Sequence, residues 1–116
     1  MHEASLAQRI LRQVEQIESD HPGMAALAVQ VEVGPLSGVE PILLVSAFTQ
    51  IVQESPRREL ALTVCEVALT ITCQSCHTDS DLENFQFVCP RCGSQQVRVS
   101  RGDGVQLLHV DLQEVD

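Results

Sequence analysis

Four of the five cysteines fall into two pairs, Cys73-x2-Cys76 and Cys89-x2-Cys92, separated by twelve residues. A tight turn within each pair can aim two sulfurs at one ion, so the two pairs together offer a tetrahedral four-thiolate set. Gly93, directly after the second pair, suits the positive φ such a turn needs. Zn²⁺ is the default occupant, since it prefers tetrahedral sulfur and brings no redox chemistry; a rubredoxin-like iron site would use the same pattern. With all four positions filled by cysteine, the site has no open position for catalysis, and its role is structural. From Cys73 to Cys92 the sizeable apolar side chains are Leu82, Phe85, Phe87 and Val88. That is too little for an independent core, so metal binding is expected to contribute folding free energy.

The other end of the chain offers different chemistry. The sequence begins Met1-His2-Glu3, which puts an imidazole beside a free α-amine. The amine of Met1, the amide nitrogen of His2 and its Nδ1 can close two fused chelate rings around one cation. The amide or carboxylate of Glu3 can add a further donor. Planar, nitrogen-rich ligation favours Ni²⁺ or Cu²⁺ over zinc. The first N–H groups of a helix have no acceptor within it, so a metal there breaks no ladder. A three-residue match carries little weight alone. Its bland reading is a lead-in to a helix, with Glu3 favourable near the positive end of the dipole.

The remaining candidates have simple structural readings. His77 follows Cys76 and is able to replace a thiolate, but reads more simply as a solvated residue of the turn. Cys65 reads as a small buried hydrophobe, His21 as a loop residue before Pro22, and His109 as a half-exposed strand residue rather than a nickel donor.

The elements that must position these groups follow from periodicity. Leu6, Ile10, Val14 and Ile17 recur at helical spacing, and Ser5 with Gln8 forms a capping box that starts the helix near Ser5. Pro22 stops it. Leu27, Val29, Val31 and Val33 alternate with polar or small residues as a strand. A second helix is expected over 37–53, with a Ser37/Glu40 capping box, Pro41 in its first turn, and Leu44, Ala47, Phe48, Ile51 and Val52 on its buried face. Leu60, Leu62 and Val64 alternate in one phase, and Val67, Leu69 and Ile71 in the other, so the strand bends or bulges near Cys65 and Glu66. After the cysteines come a strand from Val97, a turn at Gly102-Asp103-Gly104, and a last strand with Leu108, Val110 and Leu112 on one face. The expected fold is α+β (an α/β two-layer arrangement): two helices on a small mixed β-sheet, with an inserted four-cysteine, zinc-ribbon-like domain. Residues 1–72 and 97–116 would form one domain and 73–96 the insert.

Composition narrows the function. The 116 residues are 44% apolar, with three Phe and neither Tyr nor Trp, and the net charge is −9. An acidic chain without aromatic platforms repels phosphate backbones, which argues against a nucleic-acid partner despite the paired cysteines. No stretch approaches the ~20 apolar residues that span a bilayer, and Glu3, Gln8, Arg9 and Arg12 break up any export signal. Paired CxxC motifs without such a signal point to a reducing cytoplasm. No nucleophile–base pair or phosphate loop suggests an enzyme.

Taken together, "MHEASLAQRI", "VEVGPLSGVEP", the region of Phe48, the two CxxC pairs with "CPRCG" and the closing acidic strand resemble the HypA/HybF family of hydrogenase maturation factors. The resemblance spans nearly the whole chain. Ala4 departs from the Met or Leu often found after MHE, but supplies no metal donor. The resemblance implies a nickel metallochaperone that binds Ni²⁺ as transient cargo at Met1, His2 and Glu3, with His2 indispensable. It implies structural zinc on Cys73, Cys76, Cys89 and Cys92. The implied partners are the accessory GTPase HypB and the [NiFe]-hydrogenase large subunit, with urease maturation served by some members. The alternative is a zinc-ribbon adaptor that mediates protein–protein contact in metallocentre assembly.

Overall fold

A computed structural model describes residues 3–57 and 59–115. Among them are two helices and six strands: α1 (Glu3–Asp20), β1 (Met24–Val33), α2 (Pro41–Gln53), β2 (Ala61–Glu66), β3 (Leu69–Cys73), β4 (Asp79–Leu82), β5 (Val97–Arg101) and β6 (Val105–Glu114). The strands form two three-stranded sheets, ordered β2-β1-β6 and β4-β3-β5. The fold class is α+β. The chain divides into two compact units. The first takes in the chain up to Glu32, Val39–Cys65 and the chain from Gln106; the second takes in Val33–Gly38 and Glu66–Val105.

In the first unit α1 packs against α2. The buried stripe of α1 is Ala7, Ile10, Leu11 and Val14, and that of α2 is Leu44, Phe48 and Val52. The expected Leu6 and Ile17 are half-buried and flank the α1 stripe. Phe48 is fully buried, and as the largest side chain of this core its truncation to Ala would cost about 3–5 kcal/mol. Val29, Val31 and Val33 of β1 are buried as the alternation predicts, but Leu27 is exposed and Ala26 buried instead, so the strand changes phase between residues 26 and 29. In β6, Val110 and Leu112 are half-buried while Leu108 is exposed, a slip of the same kind.

Both expected capping boxes are absent, for physical reasons. α1 already includes Glu3, which leaves Ser5 inside the helix. α2 begins at Pro41, and its N-cap Glu40 is extended (φ −88°, ψ 115°) without a side-chain cap. A residue before proline is driven out of the helical region by the ring Cδ, so the helix cannot start at Ser37. The N–H of Glu40 donates instead to Oε2 of Glu3, at 3.2 Å. A carboxylate from α1 thus does for α2 what the glutamate of a capping box does within one helix.

A second cross-element anchor lies at the other end of α1. The Glu18 carboxylate accepts two hydrogen bonds from the Arg57 guanidinium, one of them 3.0 Å long, and a third from the Ala26 N–H at 2.7 Å. The guanidinium beside it, together with the Ala26 N–H, holds the Glu18 carboxyl below its ordinary range despite partial burial, and Glu18 in turn raises Arg57.

The phase slip near Cys65 marks the passage from β2 to β3, which belong to different sheets. In the second unit, β3 pairs antiparallel with both β4 and β5, and Leu69, Ile71 and Cys73 on one face of β3 are buried. Segment 33–38 joins this unit by backbone bonds: Gly34 N–H to the Gly104 carbonyl and Leu36 N–H to that of Gly102, each 3.0 Å. Gly34 lies so close to Gly102 that a Cβ would fall on the Gly102 carbonyl, so only glycine fits there.

Candidate metal centre

The four paired cysteines converge. Their sulfurs all lie within 4.8 Å of one another. Cys73 Sγ is 3.6 Å from Cys92 Sγ, and Cys76 Sγ is 3.7 Å from Cys89 Sγ. A tetrahedral ion with metal–sulfur bonds of about 2.3 Å needs sulfurs about 3.8 Å apart. The spacing therefore suits a single four-coordinate ion and lies well beyond the roughly 2.05 Å of a disulfide; all five cysteines are free.

Local backbone geometry produces this convergence twice over. The Cys73 N–H bonds the Thr78 carbonyl (3.0 Å) and the His77 N–H bonds the Cys73 carbonyl (2.9 Å). In the second turn, Cys89 N–H bonds the Ser94 carbonyl (2.9 Å) and Gly93 N–H bonds the Cys89 carbonyl (2.8 Å). The residue after each pair has positive φ, 61° at His77 and 78° at Gly93. The glycine accepts this freely, and histidine is among the few other residue types enriched there. The Ser75 and Ser94 hydroxyls meet at 2.9 Å and link the two turns. Cys73 ends β3 opposite Val97 of β5, and Gln74 N–H bonds the Gln96 carbonyl at 2.8 Å.

β4 closes the other side of β3. Its residues, Asp79-Ser80-Asp81-Leu82, have little intrinsic strand preference. Two cross-strand bonds hold it: Thr70 Oγ1 to Asp81 and Thr72 Oγ1 to Asp79, each 2.7 Å. Beyond β4, Phe85 is 50% exposed and adopts φ 57°, and Phe87 and Val88 are also exposed. The apolar side chains between the two pairs thus do little to hold that loop, which leaves the sulfur cluster as its main tie.

Electrostatics at the sulfurs favour a cation. The N–H groups of Cys76 and Ser75 reach Cys73 Sγ at 3.4 and 3.3 Å and lower its thiol from the ordinary range. At Cys76 the Thr78 hydroxyl, followed by its N–H, brings the thiol down to about 6. Cys92 receives the Ser94 N–H, which lowers it, but neighbouring sulfurs led by Cys73, together with burial, prevail and push it up to about 12. Thiols that ionise early beside one that resists form a set in which full deprotonation awaits a dication. Zinc fits this donor set.

At the chain start, Met1 and His2 lie outside the described residues. Glu3, the third of the nickel candidates, is the first residue of α1 and only 6% exposed. Its carboxylate is engaged with α2, as described above. Of the other candidates, Cys65 is half-buried in β2 and His77 is exposed. Nδ1 of the exposed His21 donates to the Ile17 carbonyl at 2.8 Å. His109 is exposed, with Nε2 3.6 Å from Asp111 Oδ1. Ser75, Thr78 and Ser94 are site residues that the sequence reading passes over, although each stands within two residues of a cysteine ligand. Glu40, expected as half of a capping box with Ser37, instead donates its N–H to the Glu3 carboxylate.

Comparison with known proteins gives consistent results. The family profile described as "Hydrogenase/urease nickel incorporation, metallochaperone, hypA" matches residues 1–112. Hydrogenase maturation factor HypA from Aquifex aeolicus is 35% identical, over the full length of both chains. The protein of the same name from Shewanella sp. (strain MR-7) is 32% identical, over 100% of this chain and 98% of its own. The solution structure of the Ni metallochaperone HypA from Helicobacter pylori superposes with a TM-score of 0.75 at 23% identity, covering 99% of this chain and 100% of that one. That last likeness concerns the fold.

Proposed function

The chain belongs to the HypA family of hydrogenase and urease nickel-incorporation metallochaperones, and from that premise we propose that it carries Ni²⁺ on its N-terminal tripeptide and delivers it to the [NiFe]-hydrogenase large subunit. The observation that carries this reading is the closed sulfur set. Four cysteine sulfurs within 4.8 Å of one another satisfy a tetrahedral ion completely, so an ion held there is retained and cargo must bind elsewhere.

The donors for cargo are the Met1 amine, the His2 amide and Nδ1, and a contribution from Glu3. Nickel accepts this planar, nitrogen-rich set more readily than zinc does. Glu3 has a second task. Its carboxylate, bonded to the Glu40 N–H, ties the first turn of α1 to the start of α2 and gives the chelate a fixed base. Zn²⁺ on Cys73, Cys76, Cys89 and Cys92 braces the second unit, which makes nickel handling the work of the first. A metal on a chain terminus stays accessible to an incoming ligand set, so transfer proceeds by ligand exchange without a chemical reaction on the chaperone. The partners on this reading are the accessory GTPase HypB and the hydrogenase large subunit, with urease maturation a further destination. The setting is the cytoplasm; no helix of the described residues is long and apolar enough to cross a membrane.

The test is nickel titration of zinc-loaded protein with and without His2→Ala. The chaperone reading expects loss of specific nickel binding with zinc and fold retained. Stoichiometric nickel on the variant would overturn it, and intact maturation activity without His2 would favour a zinc-ribbon adaptor instead.

A further inference from the structure

The first unit contains a second group of metal-competent side chains, on the sheet β2-β1-β6. His109 and Asp111 stand two apart on β6, so they project from the same face. They line a cavity of about 180 Å³ together with Ala28, Val29 and Gln30 of β1 and Thr63 of β2. β1 is the central strand, so the depression crosses it from one edge strand to the other, and the small Ala28 gives it depth.

We propose that this depression is an auxiliary binding site for a late first-row divalent cation such as Ni²⁺. His109 supplies an imidazole nitrogen and Asp111 a carboxylate oxygen, with the Gln30 amide and Thr63 hydroxyl as supporting oxygens. His109 Nε2 lies 3.6 Å from Asp111 Oδ1. Two donors each about 2.1 Å from one ion sit about 3.0–3.4 Å apart at octahedral to tetrahedral angles, so a small rotation of two exposed side chains completes the chelate. One imidazole among oxygens selects late transition ions over Mg²⁺ or Ca²⁺. Two strong protein donors leave the remaining positions to water and neutral oxygens, so the ion exchanges readily and binds more weakly than at the four sulfurs. An exposed His–Asp ion pair without metal affinity is the competing account. The site is independent of the N-terminal chelate, and the experiment keeps the two apart.

Full-length, zinc-loaded protein with its α-amine acetylated is titrated with NiCl2, and the histidine imidazole signals are followed by ¹H–¹⁵N NMR. His21 is the internal control: it is an exposed imidazole whose Nδ1 is occupied by the Ile17 carbonyl. Paramagnetic broadening of His109 is expected at Ni²⁺ concentrations well below those that affect His21. His109→Ala should abolish the uptake and Asp111→Asn should weaken it by about tenfold or more, since even outer-shell changes cost about 10–100-fold. Simultaneous broadening of His109 and His21, or unchanged uptake by His109→Ala, would overturn the proposal. Neither result bears on nickel binding by the unblocked terminus.

Discussion

Stripping the metal from the four sulfurs should unfold the second unit and leave the first folded. Among the described residues, the buried apolar side chains of the second unit other than cysteine are Val33, Leu69 and Ile71. Burying three such residues stabilises by about 4.5–9 kcal/mol in total. Structural zinc typically contributes about 10–16 kcal/mol of binding free energy at neutral pH, so in this unit the ion outweighs the apolar core. The first unit draws on a larger set, including Val14, Val29, Val31, Leu44 and Phe48, and is expected to stay folded without that ion. Amide hydrogen exchange after chelation is the assay, with metal content measured in parallel. Protection of Leu69–Cys73 and Val97–Arg101 should collapse on removal, while that of Ile10, Val14 and Phe48 persists. Undiminished protection of β3 and β5 in protein shown to be metal-free would refute the reasoning, because the loop from Glu83 to Val88 would then be holding itself with its Phe side chains exposed.

Other perturbations separate the remaining claims. Glu18→Gln removes the charge from a partly buried, multiply bonded carboxylate and should cost about 1–3 kcal/mol in denaturant unfolding. The folded-state value of Glu18 is depressed, so the stability it contributes is present above the unfolded carboxylate range and is lost as pH falls through the lower folded value. Acid titration of wild type against Glu18→Gln should therefore converge at low pH. Gly34→Ala places a methyl on the Gly102 carbonyl and should cost about 3 kcal/mol or more, read as reduced protection of the Gly34 to Leu36 amides. Glu3→Ala leaves the Glu40 N–H without its carboxylate and should speed exchange of that amide; an unchanged rate would show that α2 does not depend on α1 for its cap. Nickel affinity should decline as pH drops through the amine and imidazole ranges, about 7.7–8.0 and 6.5, because both donors must be deprotonated; calorimetry across that interval would detect a flat profile, which would contradict the chelate.

The parts of the structure that announce themselves in the sequence are those governed by short-range rules. Two CxxC pairs at close spacing converge because each turn is a local object. The α2 stripe of Leu44, Phe48 and Val52 follows from helical period alone. The reversal of alternation at Cys65 and Glu66 is a real break, and it marks where the chain leaves one sheet for another. Features decided over distance were hidden. Ser37 and Glu40 satisfy a capping pattern, yet Pro41 forces Glu40 into extended backbone and a carboxylate 37 residues away supplies the bond. β4 is acidic and short, and it pairs with β3 with its two aspartates bonded to Thr70 and Thr72 across the ladder. Leu27 and Leu108 look buried by alternation, but phase changes within β1 and β6 turn them outward. The proposed nickel donors, Met1 and His2, rest on chelate chemistry and the family resemblance.

The most direct measurement compares nickel binding by untagged protein with that of the same protein acetylated at its α-amine, by calorimetry with nickel K-edge absorption on each sample. The account predicts one tightly held, nitrogen-rich nickel on the free terminus and loss of that ion on acetylation, with zinc unchanged. Equal affinity and an identical absorption edge in both samples would contradict it.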